Sequence, residues 1–436
     1  MKPHLTMSLR AGARHRPLRP WHDVSLAATD DHGLRPDVDA VIRRHRRAVW
    51  FTQEYEQAGE EWNPDERHLG LDRIVRVVSQ TDQPFGRDLI AELATLPSVN
   101  RVDAMSIAGA PLPPTTGHGR PSRWAGEMVG LPEAHLRTRG APAVTVAVLD
   151  TGVNPHPELA LSPGRDFVDI IPGSDTFVGD SLDADRVAED PGVGHGTHVS
   201  GIIAARGLAM PVGVAPRCRI VPVRVLGALE RDGRLIGAGV VDNIDSGIKW
   251  AVDNGAAVIN MSLGIRRTGG GPPHARVIAY ARRRGVVVTA ASGNDGTDAL
   301  YYPGSLPGVL AVGAVDSDGS VPGFSTWGRQ VSLVAPGVDI YSSLLDGTYG
   351  LASGTSQAAP FVAGAAALLL SRAAERGTRL TPDGVTRVLT ATANRPGTTW
   401  RDRHYGAGVV DVGDALRLLD LECDQISDRP VTHPAA

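Results

Sequence analysis

At 436 residues, 42% hydrophobic and 21% charged, the chain carries enough apolar material for a large core and is too long for one small domain. Its net charge of -4 argues against a basic nucleic-acid footprint or a polybasic membrane surface, and two cysteines, Cys218 and Cys423, exclude a disulfide scaffold. The first 30 residues hold no apolar stretch of signal-peptide length, and no later run approaches the roughly 20 apolar residues of a membrane helix. The expectation is a cytoplasmic protein as written, with export by another route left open, and with neither nucleic acid nor membrane as partner.

In chain order, residues 1–67 are Arg-rich, then mixed in charge, with little periodicity, and are expected to form an extension of unclear order. Over 68–112, "DRIVRVVSQ" reads as a strand, "GRDLIAELATLPSV" has helical spacing and "NRVDAMSIAG" is extended again, a small β-α-β unit. Pro, Gly, Thr and Ser then dominate "PLPPTTGHGRPS", which sets a linker at 113–121. From 122 to 420 strands and helices alternate: "AVTVAVLDTG", "HGTHVSGIIAA", "RIVPVRVL", "VVDNIDSGIKWAVDNG", "AAVINMSLG", "ARVIAYARRRG", "VVVTAASGN" and "VLAVGAVD". This alternation predicts an α/β layered fold around a mostly parallel sheet. Residues 421–436 read as a loose polar tail.

Ligand-handling groups of an open parallel sheet collect at the carboxyl ends of its strands. Asp150 ends "VTVAVLD", His195 opens the helix in "GVGHGTHVSG", and Ser356 opens another in "SGTSQAAPFVAGAAALLL". A serine hydroxyl needs a base to accept its proton, an imidazole titrates in the right range, and a carboxylate on the second ring nitrogen fixes the tautomer. The oxyanion needs donors: the backbone N–H of Ser356 at its helix N-terminus, and the side-chain amide of Asn294 in "AASGNDG". Taken alone, Ser356 would be a helix cap, Asp150 a ribose-binding acid and Asn294 a turn residue. No G-x-G-x-x-G opens a matching helix, and the three blocks together favour the nucleophilic set. His195 and His198 stand three apart, but no H-E-x-x-H completes a zinc site.

"VAVLDTGVNPHPEL", "GHGTHVSGIIAA" and "SGTSQAAPFVAGAAALLL" resemble the three signature blocks of the subtilisin-like serine proteases, in that family's order of Asp, His, Ser. The likeness extends to "VINMSLG", "YYPGSLPGVLAVGAVD", "LVAPGVDIYSS" and "YGAGVVDVGDAL" and spans about 122–420. It implies a three-layer subtilisin-like fold and a serine endopeptidase working through an acyl-enzyme with no obligatory cofactor. Asp150 would orient His195, His195 would be general base then acid, Ser356 the nucleophile and Asn294 the oxyanion donor. Ser262, Leu263 and Gly264 would pair with extended substrate, and Ala291, Ser292 and Gly293 would line the primary pocket. The 68–112 unit resembles the inhibitory propeptide of secreted relatives and would be an intramolecular partner beside the peptide or protein substrate.

Three departures stand out. Gln357 replaces a common Met, a structural position of small expected cost. "AARGLAMPVGVAP" is shorter than the family's calcium loop, and Glu158 stands where secreted relatives have an Asp ligand, so a structural calcium is not supported and no metal ligand is assigned. A propeptide-like unit without a signal peptide is an odd pairing. The acidic segment 165–194 reads as a solvated insertion, or as acids including Asp185 and Asp190 that flank the cleft and favour basic substrates. The rival functions are dedicated leader-peptide processing, a non-catalytic peptide-binding module of this fold, and a metal-dependent hydrolase using the His pair.

Overall fold

The computed structural model describes residues 3–13, 15–21, 33–110, 120–168, 187–231, 234–266, 271–395 and 402–427. The strands are β1 (His4–Leu9), β2 (Val49–Gln53), β3 (Ile74–Ser79), β4 (Val99–Ala104), β5 (Ile107–Ala110), β6 (Thr145–Asp150), β7 (Arg165–Asp166), β8 (Arg219–Arg224), β9 (Gly227–Arg231), β10 (Arg234–Val240), β11 (Val258–Met261), β12 (Ile265–Arg266), β13 (Val287–Ala291), β14 (Tyr301–Tyr302), β15 (Val309–Val315), β16 (Val331–Pro336), β17 (Ile340–Ser343) and β18 (Tyr349–Ala352). The helices are α1 (Pro36–Arg44), α2 (Pro64–Leu69), α3 (Arg87–Ala94), α4 (Trp124–Met128), α5 (Leu131–Arg137), α6 (His195–Ala204), α7 (Val241–Asp253), α8 (Ala275–Arg283), α9 (Thr355–Glu375), α10 (Pro382–Thr392) and α11 (Val412–Ser427).

Seven strands form one sheet in the order β16-β15-β13-β11-β6-β8-β7, and every pairing in it is parallel. Parallel strands are buried on both faces, which is why they read as continuous apolar runs. Successive residues still divide between the faces. Val146 and Val148 of β6 join Ile220, Val258, Val312 and Leu333 under α6, α9, α10 and α11. Ala147 and Leu149 join Val223, Ile259 and Val288 under α7 and α8. The three-layer α/β expectation holds.

Helix α9, 21 residues, passes by length and composition for a membrane span, contrary to the sequence expectation, yet 83% of its apolar stretch is buried in the protein. Its small residues Ala358, Ala359, Ala363, Ala365 and Ala366 are inaccessible and let it run against the sheet as a core helix.

The N-terminal region departs from the expected boundaries. The four-stranded antiparallel sheet has the order β2-β3-β1-β4, so β1 lies between β3 and β4. Residues 1–67 are thus not separable from the 68–112 unit. The missed signal is short but present: Leu5, Met7 and Leu9 alternate along β1 and are buried. β5 leaves this sheet and pairs with β10 instead. The linker expected at 113–121 lies outside the described residues except for 120 and 121. The tail is also corrected, since α11 continues past 421 to Ser427, held by Asp420 with Arg137 and Arg372 and by Glu422 with Arg387.

The N-terminal sheet docks on α7 and α8. His4 Nε2 lies 3.0 Å from Asp242 Oδ2, and Arg76, paired with Glu54, donates to Asn243 Oδ1 at 2.9 Å. Lys249, one of two lysines in the chain, is buried with its Nζ 2.5 Å from both Glu66 Oε1 and Asp253 Oδ2.

Candidate active site

Asp150 is the last residue of β6 and is fully buried. Its Oδ1 lies 2.6 Å from His195 Nδ1 and accepts the Thr151 N–H at 2.8 Å. A carboxylate only accepts, so the ring proton sits on Nδ1 and Nε2 presents a lone pair. His195 Nε2 is buried and takes no hydrogen bond among the described residues.

Local sequence brings α6 this close to β6. A Cβ on Gly196 would lie 2.2 Å from Gly152 O and 3.1 Å from Asp150 Cβ, so only glycine permits the approach. The turn before His195 is tied by Asp190, whose carboxylate accepts N–H bonds from Gly192, Val193 and Gly194 at 2.7–2.9 Å, and the hydroxyl of Thr151. Burial raises the Asp190 pKa in spite of these donors. Asp190 therefore organises the loop from inside and does not face substrate as the charge hypothesis required. Asp185 lies outside the described residues.

His198 Nε2 lies 3.1 Å from Ile340 O and 3.3 Å from Gly350 O. Burial, and secondarily the neighbouring His195, lower its pKa to about 4. With Nδ1 of His195 on Asp150 and Nε2 of His198 on carbonyls, the pair does not converge on a metal. Among the described residues no group of three or more His, Cys, Asp or Glu is placed to hold one.

Ser356 is the second residue of α9, where α-helix geometry gives its N–H no intrahelical acceptor. Pro360 lies four residues on and lacks the N–H that would bond the Ser356 carbonyl. Ser262 replaces it: Ser262 Oγ donates to Ser356 O at 2.8 Å, while Ser356 Oγ donates to Ser262 O at 3.1 Å. The two serines are locked reciprocally, so Ser356 meets the 262–264 strand directly.

Asn294 Oδ1 accepts the Thr355 N–H and hydroxyl, both at 2.8 Å. Because a backbone N–H only donates, the amide oxygen must face Thr355, and Nδ2 points the other way. Thr355 was not singled out in the sequence, although it adjoins Ser356 in "SGTSQ".

The remaining predicted residues flank this cluster. Ser262, Leu263 and Gly264 follow β11, and Ala291, Ser292 and Gly293 run off the end of β13. The Leu263 side chain is in the core, and Ser292 Oγ donates inward to Thr326 O at 2.9 Å, so these two segments offer mainly backbone. A strand already lies on one of them. Gly109 and Gly264 exchange N–H···O bonds at 3.3 and 3.0 Å, and β5 pairs antiparallel with β10 on its other side, Ala110 opposite Gly237 and Ala108 opposite Gly239.

The Glu158 site does not fit calcium. Its carboxylate is buried and accepts the N–H groups of Gly207, Leu208 and Ala209 at 2.7–3.0 Å. N–H donors facing the carboxylate would repel a cation, which needs oxygens there. Burial would raise the Glu158 pKa, but the backbone donors outweigh it and hold it below the ordinary value.

The subtilase family, Peptidase S8, matches residues 141–408. Subtilisin BL of Lederbergia lenta is 38% identical over 295 residues, 67% of this chain and 98% of the relative. Subtilisin E of Bacillus subtilis (strain 168) is 38% identical over 296 residues, 66% of this chain and 70% of the relative. Among solved structures, a protease of Pseudoalteromonas arctica PAMC 21717 aligns with a TM-score of 0.58 at 32% identity, over 67% of this chain and 94% of the other. The prenylagaramide maturation protease PagA aligns with a TM-score of 0.54 at 34% identity, over 66% of this chain and 98% of the other. The chain belongs to the subtilase family and is a subtilisin-like serine endopeptidase.

Proposed function

We propose that the chain hydrolyses peptide bonds through an acyl-enzyme on Ser356. The observation that carries this reading is the buried 2.6 Å contact of Asp150 with His195 through Nδ1, which leaves Nε2 without a partner among the described residues, on α6, the helix packed against the α9 that carries Ser356 as its second residue. Substrate enters as an antiparallel strand on Ser262–Gly264, the position β5 now holds. Its N–H competes with the Ser356 hydroxyl for the Ser262 carbonyl, freeing Oγ for His195. His195 Nε2 takes the Ser356 proton as Oγ attacks the carbonyl carbon, and returns it to the leaving amine. Water then repeats the sequence in reverse and releases the acid. Asn294 Nδ2 and the Ser356 N–H hold the oxyanion, and a donor of this kind is worth about 10²- to 10³-fold in turnover. Asp150 stabilises the imidazolium.

The N-terminal unit acts as an intramolecular, propeptide-like occupant of the cleft, supported by the seating of β5 between β10 and Gly264. No metal takes part in the chemistry, and the Glu158 loop needs none. Ser356→Ala tests the mechanism: peptidase activity and fluorophosphonate labelling are both expected to vanish, and retained activity would overturn it. A second reading, dedicated maturation of one peptide precursor, is favoured by the likeness to a maturation protease. Profiling of new N-termini in a digest of denatured cell protein separates the two: many unrelated sites mean general proteolysis, and near-silence with one cleaved precursor means maturation.

A further inference from the structure

Tyr301 occupies a position that the reading above does not explain. It lies on β14, whose backbone pairs with β12 in the register Arg266 opposite Tyr301. That pairing hangs the ring beside the end of the 262–264 strand. One edge of the ring lies against Gly264, where an added Cβ would be 3.3 Å from Tyr301 Cδ1. The other edge lies against Gly293, where an added Cβ would be 2.7 Å from Cδ2 and 2.9 Å from Cε2. Opposite edges of one aromatic ring thus touch the last residues of the two segments that flank Ser356.

The ring is held in place. Its hydroxyl donates to Asp295 Oδ2 at 3.2 Å, and the other Asp295 oxygen accepts from Thr326 Oγ1 at 2.6 Å. Thr326 in turn donates its N–H to Gly293 O at 3.0 Å. Swinging the ring out breaks its bond to Asp295 and opens an apolar gap between two backbones.

The register of β5 shows which substrate residue meets this ring. Gly109 pairs with Gly264, so a strand continuing in that register meets Ser262 two residues later. The Ser262 carbonyl is 3.1 Å from Ser356 Oγ, so that later residue supplies the attacked carbonyl. Its side chain shares the face of the residue opposite Gly264 and points away from the face of Ala108 and Ala110, which are buried against the apolar cluster over β6 and β11.

We infer that Tyr301 fills the pocket between Ser262–Gly264 and Ala291–Gly293, so that the enzyme cleaves after small residues such as Gly, Ala and Ser and excludes aromatic ones. The inference rests on the assignment of Ser356 as nucleophile and of 262–264 as the substrate strand. Tyr301 makes no contact with the reacting atoms and acts as a specificity-determining residue.

The test compares the full-length chain with Tyr301→Ala and Tyr301→Phe on two quenched peptides that differ only in Ala or Phe at the attacked residue. The ratio of the two kcat/KM values cancels the fraction of chains in which β5 still fills the cleft. The wild type and Tyr301→Phe should favour Ala by at least about tenfold, and Tyr301→Ala should lower that ratio by at least about tenfold through faster cleavage of the Phe peptide. Equal cleavage of both peptides by the wild type, or an unchanged ratio in Tyr301→Ala with Ser356 still labelled by a small fluorophosphonate, would overturn the proposal. If the wild type is neither labelled nor active, the hydrolytic reading fails separately. The relative affinity of the same chains for Ala-ended and Phe-ended peptides then decides on Tyr301, and equal affinities count against it.

Discussion

Gln357, next to Ser356, is 1% exposed, and both polar atoms of its side chain lack a hydrogen-bond partner among the described residues. A buried unpaired amide costs about 1–3 kcal/mol. The small cost expected from sequence is therefore corrected upward, because burial of the side chain with both amide atoms unpaired is not legible in the sequence. Gln357→Met keeps length and removes the desolvated amide. It should stabilise the protein by about 1–3 kcal/mol in denaturant unfolding, and a lower midpoint with unchanged slope would show that the amide is satisfied in solution.

Among the elements, the loop Gly207–Ala209 illustrates how a short segment is ordered by one side chain. Glu158 carries a pKa held below its usual value, so folding favours its charged form. Its contribution is fully present above the unfolded-state pKa near 4.5 and is lost as pH falls through the lower folded value. Glu158→Gln turns an NH₂ toward backbone N–H donors and should cost about 1–3 kcal/mol at pH 7. The difference between mutant and wild type should shrink below pH 4.5. Melting of the wild type should not respond to EDTA. A fall in melting temperature on chelation would instead place a metal in the loop.

The elements also show what was readable in advance. The strand ends and helix starts carrying Asp150, His195 and Ser356 could be placed because buried parallel strands and Gly-punctuated helix starts leave strong local patterns. β1 escaped because six residues of alternation beside an Arg-rich stretch are a weak signal, and its partners are some 70 to 100 residues away. Thr355, Asp190 and the reciprocal Ser262–Ser356 bonds depend on contacts between distant segments, and Tyr301 is legible only once two glycines are seen on opposite edges of its ring.

At the scale of the whole molecule, the N-terminal unit is joined to the endopeptidase domain by buried charge. Lys249 has a 2% exposed side chain and stands between Glu66, wholly buried, and Asp253. The rings of Trp62 and Tyr280 lie 5.7 and 5.2 Å from its ammonium. Removing one member of such a pair leaves the other charge buried and costs about 3–5 kcal/mol. Lys249→Met should therefore loosen the docking of residues 3–110, detected as faster limited proteolysis of that unit than in the wild type. Equal proteolysis rates would mean that the apolar contacts alone hold it.

The seating of β5 between β10 and Gly264 has a kinetic consequence. On the proposed reading of β5 as the occupant of the cleft, that strand is tethered to the enzyme through residues 111–123, so its grip is a unimolecular equilibrium, with an effective concentration on the millimolar scale typical of short tethers. Diluting the intact chain will not empty the cleft, and an added peptide competes against the same local excess at any enzyme concentration. Once the tether is cut, the same strand obeys ordinary mass action. Activity should then rise on dilution, a behaviour that distinguishes a severed chain from an intact one without sequencing either.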